Sequence, residues 1–190
     1  VPVTKLHNAD YKTELNELVQ DIASAYSSTL ADKGVNLVLD CPRPVPDAMT
    51  DPDRIEQVLV ILLDNASRYT PKGGTITISA RNAKEKIQLS VTDTGCGIPE
   101  SDLPHIFERF YKVDKSHSEG GTGLGLSIAQ FIMEKLGETI SVESEVGKGT
   151  RFTLTLQRYV RNAIALGPAG EKHTRYGDDD EKDEYVPNDA

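Results

Sequence analysis

Two stretches of the sequence alternate apolar and polar residues with a period of two, and each has a polar turn at its centre. The alternating segments are Thr75 to Arg81, Ile87 to Asp93, Thr139 to Glu145 and Thr150 to Leu156. The turns between them are Asn82 to Glu85 and Val146 to Gly149. Because period-two alternation is typical of strands with one buried face, these segments predict two antiparallel β-hairpins.

Three other segments carry apolar residues at helical spacing. They run from about Leu15 to Gly34, from Thr50 to about Tyr69, and from Leu124 to Leu136. The predicted fold class is therefore α+β, because helices and antiparallel hairpins occur together. We expect a two-layer α/β sandwich with three helices on one face of a mixed, largely antiparallel sheet.

The composition narrows the possible functions. With 30 acidic and 21 basic residues the net charge is -9, which argues against a nucleic-acid-binding surface. Two cysteines are too few for a disulfide framework or a four-ligand zinc site. No apolar stretch approaches the ~18 residues of a membrane span, so we expect no membrane contact by this part of the chain.

The charge is unevenly distributed along the 190 residues. Beyond Gly167 lie 8 acidic and 3 basic residues, with too few apolar residues to order the segment. We therefore expect one folded domain at residues 1–160 and an acidic, disordered tail at residues 161–190. The first residue is Val1 rather than Met, which suggests that the chain is a piece of a longer protein.

One face of the second helix carries polar residues that suit a triphosphate. Arg54, Gln57, Asn65 and Arg68 are separated by steps that keep them on one face. The Asn65 amide could supply an oxygen to Mg²⁺, Arg68 could contact phosphate, and Tyr69 could pack on a base. The alternative is an ordinary solvated helix face.

A second motif, Asp93-Thr94-Gly95-Cys96-Gly97-Ile98, follows directly after a predicted strand. A carboxylate at a strand end can accept a hydrogen bond from an exocyclic amine such as adenine N6. The two glycines would let the backbone pass close to a flat ring. The alternative is an ordinary glycine turn after a strand.

A third motif, Gly121-Thr122-Gly123-Leu124-Gly125-Leu126, comes immediately before the third helix. Free N–H groups at a helix start, together with the helix dipole, favour phosphate binding. The motif is not a P-loop, because no Lys-Ser or Lys-Thr follows the last glycine. It is also a poor dinucleotide fingerprint, because a polar loop precedes it, and a flexible hinge is the alternative.

Taken together and in this order, the three motifs resemble the ATP-binding domain shared by sensor histidine kinases, DNA gyrase, Hsp90 and MutL. Within that superfamily the chain resembles the histidine kinases. The blocks that carry this resemblance are Asp51 to Leu59, Leu62 to Ala66, Tyr69 to Gly74 and Ile106 to Tyr111, the last matching the F box of the histidine kinases. The resemblance covers about Leu6 to Gln157 and implies the Bergerat ATP-binding fold.

The resemblance implies a binding site for ATP and Mg²⁺. Asn65 would be the metal ligand, and Asn65 and Arg68 the catalytic residues, with Arg68 where the family usually has a lysine. Asp93 would read adenine, and the ATP lid would run from Lys112 to Gly120. The implied nucleotide-binding residues are Asn65, Arg68, Tyr69, Asp93, Gly95, Gly97, Ile98, Lys112, Gly121, Thr122, Gly123, Leu124, Gly125, Leu126 and Thr150. Phe107 and Phe110 would pack at the lid base and the kinase interface.

The chain departs from the family pattern at one position. The family has a second asparagine one turn before the metal ligand, and Ile61 stands there. In the gyrase branch this position carries a glutamate that activates water, so isoleucine argues against hydrolysis by that route.

The resemblance implies transfer of the ATP γ-phosphoryl group to a histidine on another domain. None of His7, His105, His117 and His173 is followed by the residues that follow the family's acceptor. The expected partners are the phosphoacceptor and dimerisation domain of the same protein, which would form a homodimer, and a downstream response regulator. The implied setting is the cytoplasmic domain of a membrane-bound bacterial sensor. The alternatives are a degenerate nucleotide-binding or interaction module without kinase activity, and a protein serine kinase of the anti-sigma type.

Overall fold

The computed structural model describes residues 12–41, 45–113 and 122–160. Its helices are α1 (Leu15–Asp32), α2 (Pro52–Tyr69) and α3 (Gly125–Lys135), and a 3₁₀ turn lies at Leu103–His105. Its strands are β1 (Lys12–Thr13), β2 (Asn36–Asp40), β3 (Ala48–Met49), β4 (Thr75–Ala83), β5 (Lys86–Asp93), β6 (Ile140–Glu145) and β7 (Gly149–Gln157). Within the described ranges, no helix is long and apolar enough to cross a membrane.

Five of the strands form one sheet in the order β2-β4-β5-β7-β6. Strands β2 and β4 are parallel, whereas every other neighbouring pair is antiparallel. The three helices pack on this sheet, so the predicted two-layer α+β architecture is confirmed. In this register Asp93, the last residue of β5, lies opposite Thr150 of β7 and Ile76 of β4.

The predicted alternation of the strands determines the core. Alternate side chains on the three central strands are almost fully buried: Ile76, Ile78 and Ala80 on β4, Ile87, Leu89 and Val91 on β5, and Phe152, Leu154 and Leu156 on β7. The polar residues between them are removed from this face because successive side chains point to opposite sides of a strand.

Helix α2 begins as the sequence predicts. The Asp51 side chain accepts hydrogen bonds from the backbone N–H groups of Asp53 and Arg54, and Pro52 occupies the first turn. The helix buries one apolar face, formed by Ile55, Val58, Leu59, Leu62, Leu63 and Ala66. The candidate site residues Asn65, Arg68 and Tyr69 therefore lie outside this apolar face, in the last turns of the helix.

Two details of the sheet differ from the sequence prediction. The first hairpin turns on Lys84 and Glu85 alone, because Asn82 and Ala83 still pair across the hairpin and Lys84 adopts a positive φ of 56°. The two-residue strands β1 and β3 pair with each other in a separate small sheet. Such short strands have no periodicity by which a sequence could predict them.

Some predictions fall on residues outside the described ranges. These are Gly121, most of the predicted lid and the whole of the predicted tail at residues 161–190.

Candidate functional site

The centre of the candidate site is a buried carboxylate at the end of β5. Asp93 is 7% exposed, and its Oδ1 accepts a hydrogen bond from the Gly95 N–H at 2.8 Å. Burial raises the pKa of Asp93 above its ordinary value, and backbone hydrogen bonds from Gly95 and Thr150 act in the opposite direction. A carboxylate has about four lone-pair positions, so it can still accept a hydrogen bond from a ligand amine.

The glycines that follow Asp93 are required by the protein itself. A Cβ on Gly95 would lie 2.5 Å from the Tyr69 carbonyl oxygen, and one on Gly97 would lie 2.2 Å from the Glu145 carbonyl oxygen. Gly97 also has a positive φ of 74°. The sequence predicts close approach of a ligand ring at these glycines, whereas the structure shows close approach of protein backbone. The turn is thereby fixed between the end of α2 and the end of β6.

Two residues that sequence reasoning missed support this turn. Gly149 has a φ of 128°, and a Cβ there would lie 1.9 Å from the Asp93 carbonyl oxygen. The Ser144 hydroxyl accepts a hydrogen bond from the Ile98 N–H at 2.8 Å and donates one to the Gly149 carbonyl at 2.8 Å. The Gly147-Lys148-Gly149 turn was a signal for Gly149, but no sequence pattern marks Ser144.

The last turns of α2 present three polar side chains. Asn65 is half-buried, and Arg68 and Tyr69 are exposed. None of these side chains has a hydrogen bond to another residue of the described ranges. Because the Tyr69 carbonyl touches Gly95, this end of the helix is next to the Asp93 turn.

The start of α3 lies against α2, one turn before Asn65. Leu124 precedes the helix without a side-chain cap, and the first turn carries no acidic residue. The N–H groups and the positive end of the dipole can therefore accept an anion. A Cβ on Gly125 would lie 3.2 Å from Ile61 Cγ2, so the start of α3 lies against α2.

The segment before α3 is hydrogen-bonded to the predicted F box and packs closely against it. The Phe110 N–H donates to the Gly123 carbonyl at 2.9 Å, and a Cβ on Gly123 would lie 2.8 Å from the Phe110 carbonyl carbon. Phe107 is half-buried and packs edge-on against Phe152, with ring centroids 6.3 Å apart. Phe110 is 71% exposed, so the two phenylalanines have different roles.

The remaining predicted residues divide between core and surface. Ile98 and Leu126 are partly buried and pack against the core. Lys112 and Thr122 are exposed, one on each side of the undescribed segment 114–121. The Thr150 hydroxyl lies 2.9 Å from the Ser144 hydroxyl, and Thr150 is paired with Asp93 across β5 and β7.

The donors present fit a magnesium ion that is held mainly by a nucleotide. The described ranges contain no group of three or more His, Cys, Asp or Glu side chains that could hold a metal by themselves. An amide oxygen such as that of Asn65 is a suitable ligand, because Mg²⁺ commonly takes one or two protein oxygens beside phosphates and waters.

Comparison with known proteins shows the family of the chain. Residues 50–160 match the family described as histidine kinase-, DNA gyrase B-, and HSP90-like ATPase. The chain is 41% identical over 143 residues to the adaptive-response sensory kinase SasA of Synechococcus elongatus, covering 75% of this chain and 37% of that protein. The chain thus spans well under half of that relative.

Solved structures agree as well. The nucleotide-free catalytic domain of histidine kinase ThkA has a TM-score of 0.67 and 28% identity, covering 78% of this chain and 95% of that one. ThkA has also been solved in complex with the response regulator protein TrrA. Full-length ShkA in complex with AMPPNP has a TM-score of 0.73 at 24% identity, covering 84% of this chain and 34% of that one, and supports the fold. The chain therefore belongs to the histidine kinase-, DNA gyrase B- and HSP90-like ATPase family, and its domain is of the histidine kinase type.

Proposed function

We propose that this chain is the ATP-binding catalytic domain of a two-component sensor histidine kinase. It would occupy residues 1–160 and transfer the γ-phosphoryl group of ATP to a histidine on the dimerisation domain of the same protein. The observation that carries the proposal is the buried Asp93 carboxylate, fixed by the Gly95 N–H beside the free polar end of α2.

The surroundings of Asp93 support adenine as the base. A buried ionised carboxylate accepts a hydrogen bond from the exocyclic amine of adenine, whereas the carbonyl of guanine in the same position would repel it. The water-poor environment strengthens this discrimination, because an unpaired polar group is costly there. Tyr69, 46% exposed at the end of α2, can pack against the base.

Two groups of donors support the phosphates. Arg68 can bind a phosphate through its guanidinium, and the uncapped N–H groups at the start of α3 offer a second anion site. Asn65 would hold Mg²⁺, which neutralises phosphate charge when it is bound. The residues of the chain then position the γ-phosphoryl group, and positioning with charge neutralisation supplies most of the catalysis.

Exposed apolar side chains on α3 and in the segment bonded to its start support docking of a phosphoacceptor domain. They are Phe110, Ile128 and Phe131, with exposures of 71%, 41% and 52%. Phe110 is hydrogen-bonded through its backbone to Gly123, directly before α3, and the other two residues are one turn apart on that helix. Large exposed apolar side chains that lie close together commonly mark interaction sites.

The proposal is tested by adding the dimerisation domain of the full-length protein, produced separately, to this chain with labelled ATP and Mg²⁺. We expect acid-labile label on the added domain, and we expect Asp93→Asn to reduce it strongly at an ATP concentration near the wild-type Kd. Acid-stable label would indicate a serine kinase instead. Absence of label from a chain that still binds ATP would favour the interaction module. A response regulator added to the labelled domain should then acquire the phosphoryl group.

A further inference from the structure

The polar face of α2 contains one apolar residue at its centre. Arg54, Gln57, Ile61, Asn65 and Arg68 follow one another at steps of three or four, so they form one stripe along the helix. Four of the five are polar or charged. Ile61, one turn before Asn65, is the exception.

The surroundings of Ile61 explain why an apolar side chain is stable there. Ile61 is partly buried and packs against the hydrophobic core. Its Cγ2 lies 3.2 Å from the position that a Cβ on Gly125 would take. The side chain therefore fills the space between α2 and the first residue of α3.

Two other oxygen-bearing side chains of α2 have hydrogen-bond partners. The Asp64 Oδ1 accepts a hydrogen bond from the Tyr26 hydroxyl at 2.7 Å, which directs that carboxylate towards α1. The Gln57 Oε1 accepts one from Arg54 Nη1 at 3.2 Å. Among the described residues of the stripe, only the Asn65 amide has an oxygen without a partner.

We propose that Ile61 limits the protein's contribution to the magnesium site to Asn65 alone, so that Mg²⁺ adds little to nucleotide affinity in this chain. The inference rests on the proposed function. An isoleucine side chain can neither coordinate the ion nor accept a hydrogen bond from a water bound to it. Adenine recognition by Asp93 and phosphate binding by Arg68 do not depend on the ion. Most of the affinity is therefore expected to remain when Mg²⁺ is removed.

The test is calorimetric titration of ATP into three forms of the chain, each with excess Mg²⁺ and with EDTA. For the wild type we expect the two Kd values to differ by less than about threefold. Ile61→Asn, which restores an amide one turn before Asn65, should raise that ratio to about tenfold or more. The matched control is Val60→Asn, which adds the same amide on the side of α2 that lies against Leu18 and Tyr26 of α1. Its ratio should equal that of the wild type.

Two results would overturn the inference. One is a wild-type ratio of about tenfold or more, which decides the question even if Ile61→Asn does not fold. The other is a folded Ile61→Asn variant whose ratio equals that of the wild type. Absence of ATP binding in both buffers would instead contradict the proposed function, so the two failures are distinguishable.

Discussion

Gly97 gives the sharpest test of the geometry at the Asp93 turn. Replacement by alanine places a Cβ 2.2 Å from the Glu145 carbonyl oxygen, at a φ of 74°. The end of β6 must then retreat by about 1 Å, or the turn must open, because a non-bonded carbon needs about 3.5 Å. Either movement disturbs the support of Asp93.

The magnitude follows from two contributions. A non-glycine residue at positive φ costs about 1–2 kcal/mol, and forcing an extra methyl group into packed structure costs about 1–3 kcal/mol. We therefore expect Gly97→Ala to lower the free energy of unfolding by about 3 kcal/mol. The control is Gly147→Ala, because Gly147 has a similar φ of 81° but nothing within 4 Å of its Cβ position. It should cost about 1 kcal/mol.

Urea denaturation of the two variants measures this difference. In thermal unfolding of a chain of this size, the same 2 kcal/mol corresponds to a difference in Tm of about 4–8 °C. We also expect Gly97→Ala to weaken ATP binding, while Gly147→Ala leaves it near the wild-type value. If the two variants lose equal stability to within about 0.5 kcal/mol, the close approach of Gly97 to β6 is refuted.

Other predictions concern reactivity, stability and pH. Cys96 is exposed between the two glycines of the Asp93 turn, so bound ATP should slow its alkylation, whereas alkylation of the half-buried Cys41 should not change. Mass spectrometry after timed iodoacetamide treatment measures both rates. The Lys86 Nζ lies 2.9 Å from both carboxylate oxygens of Glu138, whose side chain is only 2% exposed. Lys86→Met removes the cation that pairs with this buried carboxylate, so urea denaturation should show a free energy of unfolding lower by about 2 kcal/mol. Because burial raises the pKa of Asp93 above 3.8, ATP affinity should fall as the pH is lowered through that raised pKa, and titrations at several pH values should show no such fall for Asp93→Asn. The same shift affects stability. Below pH 3.8 the Asp93 carboxyl is protonated in the folded and the unfolded state, so no charge is buried. Between pH 3.8 and the raised pKa the unfolded state loses its proton first, so the free energy of unfolding decreases as the pH rises through that interval.

The parts of the fold that have strong periodicity could be predicted from the sequence. Helix α2 has a proline in its first turn, an aspartate cap and a continuous apolar face, all of which are local signals. The two hairpins alternate because one face of each central strand is buried. The strands β1 and β3 could not be predicted, since two residues carry no period and their pairing joins distant parts of the chain.

The candidate site was less accessible to sequence reasoning, because it depends on contacts between distant segments. Gly95 was predicted to matter, but the reason is that a Cβ there would lie 2.5 Å from the Tyr69 carbonyl oxygen, a neighbour that only the fold brings close. Ser144 lies in an edge strand and has no sequence signal, yet its hydroxyl links Ile98 to Gly149.

The F box shows the same limit for hydrophobic residues. Phe107 and Phe110 are three residues apart in the same block, and the sequence does not distinguish between them. In the fold Phe107 packs against Phe152, whereas Phe110 adopts a φ of 64° and exposes its ring. A positive φ for a bulky residue is set by its surroundings, here the hydrogen bond to Gly123, and not by its own propensity.

The central claim is that Asp93 holds adenine, and calorimetric titration of ATP into the wild type and Asp93→Asn tests it most directly. Asparagine that keeps the bond from the Gly95 N–H presents an NH₂ donor in place of the second carboxylate oxygen, so one acceptor is lost. Loss of one hydrogen bond to a charged group costs about 1.5–3 kcal/mol, so we expect ATP affinity to fall at least tenfold while the fold is retained. GTP should bind the wild type far more weakly than ATP. Equal ATP affinity in the two proteins, or equal binding of GTP and ATP by the wild type, would contradict the account.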